Sequence, residues 1–493
     1  MESTSKTRVY IIGAGFAGRE IASEIAKKGS LGRVVAFLDD DPEKIGATFQ
    51  NIPVLGPISS VINLLRQTPA DEAIIAMPSV GRDRLKKIYR MLKQADFSRI
   101  RILPAISQII EGDAHLIQTR EIDPQDLLGR NPVAINLRKS LSYIRGKRVL
   151  ITGAGGSIGS ELSRQLLSGG AERLYLFGHG ENSIYELDRE LRILQEEGVG
   201  EKATIVPVVG ELQDQAYVDF LLSRLRADII FHCAAHKHVP LLENNPVEAI
   251  KNNVFATRNL VRAADRADIK RFVLISTDKA VEPNCMYGAS KLLAEEIVLN
   301  KQTKQNHFIV VRFGNVLGSR GSIVPLFTKQ IRKGGPVTVT HPKAERYFMT
   351  VPEAASLVLQ GAGAGTGGNL YLLDMGDPLC ITDLAKQMIR FYGYEPKRDI
   401  SIEYIGLRPG EKLTERLWAP WESRHKTEFN RIFRLKRDKA PLNGSMEGLM
   451  KELEHVCFFT KGYEGYFRNR QKLRKILQEY IPTIEVPDNE PEY

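Results

Sequence analysis

The chain of 493 residues is poor in cysteine and poorer in tryptophan, with four of the first and two of the second. Cys233, Cys285, Cys380 and Cys457 are scattered and make no Cys-x-x-Cys pair, so neither a disulfide framework nor a thiolate zinc site is expected. A reducing, cytoplasmic setting suits that usage. No stretch approaches the roughly 18 uninterrupted apolar residues that a membrane-spanning helix requires, and no apolar signal region precedes the first strand in "MESTSKTRVYIIGAG". Low-complexity tracts are also missing. A net charge of +10 stands without any recognised nucleic-acid module, so nucleic acid is not an expected partner. The excess charge favours nucleotides and phosphates instead, and leaves peripheral association with an acidic membrane face open.

What is present is a pattern stated twice. "RVYIIGAGFAGREIASEIAKKG" reads as a buried strand, a glycine turn and an amphipathic helix. Gly13, Gly15 and Gly18 have G-x-G-x-x-G spacing, which makes a tight turn, lets backbone approach a pyrophosphate and lets helix pack on strand. The next strand, "VVAFLDD", reaches Asp39, where an acid could bind a ribose hydroxyl. A nucleotide site built on these four residues is the expectation for the first unit. The pattern returns at "KRVLITGAGGSIGSELSRQLL", now as G-x-x-G-x-x-G through Gly153, Gly156 and Gly159, with Thr152 before it and Ser157 and Ile158 inside it. That variant belongs to short-chain dehydrogenases and their extended relatives. Strands "RLYLFG", "ATIVPVVG", "DIIFHCAA", "RFVLIST" and "FIVVRFGN" then alternate with helical stretches, which argues a parallel sheet.

The expected fold class is therefore α/β, with two tandem Rossmann-like doubly wound parallel-sheet domains and a smaller C-terminal substrate lobe on the second. The boundaries read as an N-terminal domain at 1–130, a linker at 131–146, a catalytic domain at 147–420 and a C-terminal extension at 421–493. Turn-prone Asn131-Pro132 suits the linker. The acidic, proline-bearing end "EVPDNEPEY" reads as frayed.

In "STDKAVEPNCMYGASK", Tyr287 and Lys291 fall one helical turn apart on one face. Such a pair takes a proton from a hydroxyl while hydride leaves the same carbon, with Lys291 expected to draw the tyrosine pKa down toward neutrality. Thr277 can hold the hydroxyl. Asp278 and Lys279 exceed what oxidation needs. They make sense if a ketone at carbon 4 of a sugar acidifies the proton on carbon 5, a base removes it, and an acid protonates the departing 6-hydroxyl. Simple pairing would move both pKa values the wrong way for those tasks, so burial is expected to oppose it. His232, His236 and His238 invite a metal reading, but no carboxylate or thiolate completes a site at zinc-like spacing, and no metal is expected.

From about Gly146 to Trp418 the chain resembles the polysaccharide-biosynthesis nucleotide-sugar 4,6-dehydratases, extended short-chain dehydrogenases acting on UDP-N-acetylglucosamine. The resemblance runs through "TGAGGSIGSEL", "HCAAHKHVPLLENNPVEAIKNNV", "STDKAVEP", "YGASK", "RFGNVLGSRGSIVPLF", "THPKAERYFMT", "LDMGDPLCITDLAKQMI" and "GLRPGEKLTE". It implies Thr277 near the 4-oxygen, Asp278 as acid at carbon 6, Lys279 as base, and Tyr287 with Lys291 as the oxidation pair. It implies an NAD cofactor held by Thr152, Gly153, Gly156, Ser157, Ile158, Gly159, Glu211 and Lys291, with NADP an alternative. A UDP-sugar would be met by Lys237, His238 and Asn315, with Arg312, Arg346 and Arg408 as candidates for its phosphates because guanidinium binds phosphate bidentately. A homo-oligomer is expected. The N-terminal unit resembles the Rossmann domain of the family's long members, whose membrane helices this chain lacks. Several long members carry Met where this chain has Tyr287, which leaves the outcome at carbon 5 open. Gly178 stands where the family often has a ribose-binding Asp, Glu211 where another Asp is common, and Glu345 where a Thr is usual. A nucleotide-sugar 4-epimerase and a non-catalytic nucleotide sensor are the rival readings.

Overall fold

In the computed structural model, residues 7–28, 32–77, 80–103, 120–121, 141–301, 306–364 and 368–491 are described below. The chain divides into two compact units, Met1–Asn136 and Leu137–Tyr493. The expected linker 131–146 lies outside the described residues as far as residue 140.

In the first unit, strands Arg8–Ile12, Arg33–Leu38, Glu72–Ile75 and Arg99–Ile102 run parallel, and Arg120–Glu121 joins the edge antiparallel. The strand residues Val9, Ile11, Phe37 and Ile74 are buried together with Ile21 and Ile25 of helix Phe16–Lys28. Near-continuous apolar strands of this kind are what a sheet covered on both faces demands.

The second unit is built on a nine-stranded sheet. In spatial order its strands are Thr204–Val209, Arg173–Gly178, Arg148–Thr152, Ile229–His232, Arg271–Ile275, His307–Arg312, Leu370–Leu373, Ile432–Arg437 and Glu422–Lys426. The first seven are parallel and the last two antiparallel. All five strands expected from the sequence are among them. Arg148–Thr152 comes first in the chain yet lies third in the sheet, between the second strand and the fourth. The order reverses there, so the crevice beyond Thr152 and His232 is where ligands of such sheets bind.

The sequence reading stopped the catalytic domain too early. Strands Glu422–Lys426 and Ile432–Arg437 belong to its sheet, because Ile432–Arg437 pairs antiparallel with Leu370–Leu373 and Glu422–Lys426 pairs antiparallel with Ile432–Arg437 in turn. Helices Met446–Cys457 and Arg470–Tyr480 then bury Leu449, Leu453, Val456, Leu473 and Leu477 against Ile250, Phe255, Met286 and Leu293. The chain end is also tied down as far as Glu490, whose buried carboxylate pairs with Arg470 at 2.7 Å and Arg474 at 2.9 Å. Among the described residues no helix is long and apolar enough to cross a membrane.

Candidate active site

The second glycine turn is built for close backbone approach. Gly153 has φ +66, and a Cβ there would lie 2.6 Å from the Ala234 nitrogen. A Cβ on Gly159 would lie 2.3 Å from the Gly153 carbonyl, so the third glycine is what lets helix Ser157–Ser168 seat on the strand. Gly155, which spacing alone does not single out, is equally constrained, since its Cβ would meet Ser183 Oγ at 2.4 Å. The helix N-cap is Gly156, with no side-chain cap, so the first-turn amide donors are not consumed by a side chain of the chain itself. Ser157 Oγ accepts from the Arg320 amide at 3.0 Å, and Ile158 is half-buried beside it. A dinucleotide pyrophosphate fits this donor set.

Behind the turn, His232 is locked between two threonines. Thr257 donates its own proton to the Asn253 carbonyl at 2.6 Å, so its oxygen accepts from His232 Nε2 at 2.9 Å. Nδ1 then accepts from the Thr152 hydroxyl at 2.7 Å. Burial pushes this imidazole down to about 3, so it is neutral. Asn253 exchanges hydrogen bonds with both backbone groups of His236 at 2.9 Å, fixing the loop after the strand. The sequence reading did not single out Asn253; its place in a π-helical segment, Lys251–Phe255, is a feature that often accompanies function.

The catalytic candidates come together. Thr277 follows strand Arg271–Ile275 and caps the short turn Asp278–Ala280. Tyr287 and Lys291 lie on helix Met286–Leu299. Gly288 is the reason the helix can touch that turn, because a Cβ there would lie 2.2 Å from the Lys279 carbonyl. Asp278 Oδ1 accepts from the Thr277 hydroxyl at 3.0 Å and from Lys279 Nζ at 3.0 Å. Its Oδ2 is buried with no partner. Lys279 Nζ also donates to Asn315 Oδ1 at 2.9 Å and stands 4.0 Å from Glu415 Oε1.

The electrostatics correct two expectations. Burial raises Tyr287 to about 12, opposed by Lys279 and by a hydrogen bond with Thr277, and Lys291 is not among the influences on it. Lys291 Nζ instead donates to the Ile275 carbonyl at 2.7 Å, and burial lowers its pKa to about 8. For Lys279, burial works downward, but Asp278 and Glu415 outweigh it and the pKa ends raised.

Two of the three phosphate candidates are already engaged. Arg312 is 1% exposed and clamped by Glu295 and Glu422, each at 2.7 Å, so its guanidinium is a core ion-pair partner. Arg346 donates to the carbonyls of Glu345, Lys412 and Leu413 at 2.7, 2.7 and 3.0 Å. A buried ion-pair role is the alternative that the sequence leaves open for any of the three arginines, and Arg312 has it here. Arg408 is exposed and paired with Glu411 at 2.9 Å. Lys237 reaches Ser319 at 3.4 Å, and the His238 ring packs where a Cβ on Gly321 would come within 2.4 Å of it. Glu211 is exposed just past strand Thr204–Val209, and Gly178 ends its strand facing Ile184.

In the first unit Gly13 has φ +105, a Cβ on Gly18 would meet the Gly13 carbonyl at 2.0 Å, and one on Gly15 would meet nothing within 4 Å. Asp39 is spent on the turn itself, accepting from the Ala14 amide at 2.8 Å and from Lys44 at 3.4 Å.

A family profile described as polysaccharide biosynthesis protein matches residues 149–437, and one described as CoA-binding domain matches residues 2–104. The probable polysaccharide biosynthesis protein EpsC of Bacillus subtilis is 42% identical over 84% of this chain and 68% of its own. A Campylobacter jejuni protein named UDP-N-acetylglucosamine 4,6-dehydratase (inverting) is 30% identical over 58% of this chain and 82% of its own. A Rickettsia canadensis UDP-glucose 4-epimerase is 29% identical over 60% and 85%. Among solved structures, Pen from Bacillus thuringiensis is 32% identical, covers 60% of this chain and 91% of its own, and superposes with a TM-score of 0.54.

Proposed function

The chain belongs to the polysaccharide biosynthesis protein family, and we propose that within it the protein is a UDP-N-acetylglucosamine 4,6-dehydratase that works with NAD. Membership makes it a nucleotide-sugar-modifying enzyme of the dehydratase and epimerase kind on an extended short-chain dehydrogenase fold. The observation that carries the finer reading is the pair of a buried Asp278 and a half-buried Lys279, joined to the oxidation set through Thr277 Oγ1 at 3.0 Å from Asp278 Oδ1. An epimerase needs Thr277, Tyr287 and Lys291 alone. Two further charged groups serve an elimination.

In this reading the turn from Thr152 to Gly159 holds the dinucleotide, which when bound supplies the hydride acceptor for carbon 4 and the donor for carbon 6. Thr277 and Tyr287 hold and deprotonate the 4-hydroxyl, and Lys291 fixes the ribose side of the site. Asp278 protonates the leaving 6-hydroxyl. No carboxylate stands at residue 178 to reject a 2′-phosphate, but Glu181 opposes one, which favours NAD over NADP. The product would be a UDP-4-keto-6-deoxy-N-acetylhexosamine for surface glycans.

Mass spectrometry and proton NMR on enzyme incubated with UDP-N-acetylglucosamine test this. The expected product has lost one water, with no net reduced dinucleotide, and deuterium placed on carbon 4 reappears on carbon 6. A product of unchanged mass with carbon 4 inverted would make the protein an epimerase.

A further inference from the structure

The helix that carries Tyr287 and Lys291 has only a weak cap of its own. Its N-cap is Cys285, whose Sγ accepts from the Gly288 amide at 3.3 Å, and a thiol is a poor acceptor where Ser, Thr, Asp or Asn is usual. The stronger cap comes from elsewhere in the chain. Glu243 Oε1 accepts from the Met286 amide at 2.7 Å across 43 positions, and its carboxylate stands at the positive end of the helix dipole. Glu243 is 8% exposed and Met286 is fully buried.

That carboxylate is itself held. Buried Arg474 donates from Nη2 to Glu243 Oε2 at 3.0 Å and to the Glu243 carbonyl at 3.1 Å, and Arg470 donates to the same carbonyl at 3.2 Å. Arg474 and Arg470 pair in turn with Glu490, at 2.9 and 2.7 Å. On another side, a Cβ on Gly410 would lie 3.2 Å from Glu243 Cδ and 2.8 Å from Cys285 Cβ, so the backbone there packs directly on the cap. Stability alone asks for none of this, since an ordinary serine cap would hold the helix locally. A buried carboxylate fixed by the last helix and by the backbone at Gly410 defines where the helix starts. Tyr287 is the next residue, and its phenol is hydrogen-bonded to Thr277.

Resting on the reading that Tyr287 takes the proton of the 4-hydroxyl, we propose that Glu243 is a positioning residue for that step. Its carboxylate, kept in place by Arg474 and Glu490, sets the height and rotation of the first turn of helix Met286–Leu299, and with them the phenol of Tyr287 against Thr277. Later contacts hold the helix further along. Lys291 ties it to the Ile275 carbonyl at 2.7 Å, and Asn253 donates at 2.9 Å to Ser290, whose hydroxyl donates to the Tyr287 carbonyl at 2.7 Å. The first amide of the helix is left to Glu243. A displacement of about 1 Å at a reacting group is worth roughly 10²-fold in rate. Arg474 and Glu490 thus act on the reaction through Glu243, from buried positions near the end of the chain.

Stopped-flow absorbance of reduced dinucleotide tests this, on full-length protein charged with NAD and mixed with UDP-N-acetylglucosamine. A purely structural role lowers the folded fraction, and so the amplitude, while folded molecules keep the wild-type rate constant. Positioning lowers the rate constant itself. Glu243→Gln keeps the volume beneath Gly410 but turns an amide N–H toward Arg474. It should slow reduction by about tenfold, with KM for the UDP-sugar within about twofold of wild type. Glu243→Ala should slow it by about 10²-fold. Arg474→Met should match Glu243→Gln, and Arg474→Lys should recover part of the loss. Glu243→Gln and Arg474→Met combined should cost less than the product of the two, because both break one tie. Should Glu243→Ala not fold, Glu490→Gln, which leaves the bonds of Glu243 in place, should show a smaller fall of the same kind. Rate constants within about twofold of wild type in both Glu243→Gln and Glu490→Gln would overturn the proposal. So would a double variant whose loss equals the product. Wild-type protein that reduces no dinucleotide on mixing would instead sink the reading of Tyr287, and this assignment with it.

Discussion

Replacing Lys291 by Met should make the second unit more stable at neutral pH while removing activity. Burial lowers this lysine from 10.5 to about 8. In the unfolded chain the amine therefore holds its proton more tightly than in the folded one. Below about pH 8 both states are protonated, and the folded state bears the full penalty of about 3 kcal/mol. Between about 8 and 10.5 the unfolded state binds more protons, so stability rises with pH, and above 10.5 the penalty is gone. Met removes the charge but leaves the Ile275 carbonyl, now bonded to Nζ at 2.7 Å, without its donor. That loss costs about 1–2 kcal/mol. The net gain near pH 7 is about 1–2 kcal/mol, turning into a loss of similar size at high pH, so the two stability curves cross. Urea unfolding followed by tryptophan fluorescence measures this cleanly, because both tryptophans, Trp418 and Trp421, lie in the second unit. A variant less stable than wild type near neutral pH, with an unchanged pH slope, would refute the reasoning.

Other outcomes follow from the same geometry. Tyr287→Phe should show no reduced dinucleotide after mixing with substrate, whereas Asp278→Asn should oxidise carbon 4 yet eliminate roughly 10²–10⁴-fold more slowly, so stopped-flow absorbance separates them. Arg312→Met leaves the buried carboxylates of Glu295 and Glu422 to share Arg437 and should cost up to about 3–5 kcal/mol in urea unfolding. A raised KM for the UDP-sugar with unchanged stability would restore Arg312 to the phosphates. Because hydride is returned each cycle, dinucleotide should copurify; denaturing the protein and identifying the released cofactor should find NAD, and exclusive NADP would point to His179 as a phosphate ligand.

The parallel strands were legible because each is a short apolar run between turn signals, a pattern that depends on local sequence. The glycine turns and the Thr277-to-Lys291 set were legible for the same reason, their members lying within one strand, turn or helix. What escaped is non-local. Glu415 meets Lys279 across 136 positions, the difference of their numbers, through a segment held by Arg346. Residue type suggested a phosphate for Arg312, yet only the packed sheet reveals that Glu295 and Glu422 reach it from a helix and a late edge strand. Strands Ile432–Arg437 and Glu422–Lys426 were missed because "RIFRLKR" and "ESRHK" are too polar to read as core.

The packing of the last helices on the catalytic helix also sets an order in time. Leu293 and Met286 share a core with Leu473, Leu477 and Ile484, so that core cannot close until residues as far as Ile484 have been synthesised. While they remain inside the ribosome, the helix bearing Tyr287 and Lys291 has one side open, and the nascent chain carries a sticky apolar surface that chaperones can recognise. The first unit has its own core from Val9 to Leu103 and faces no such wait. Active protein should therefore appear only after Ile484 has emerged from the ribosome.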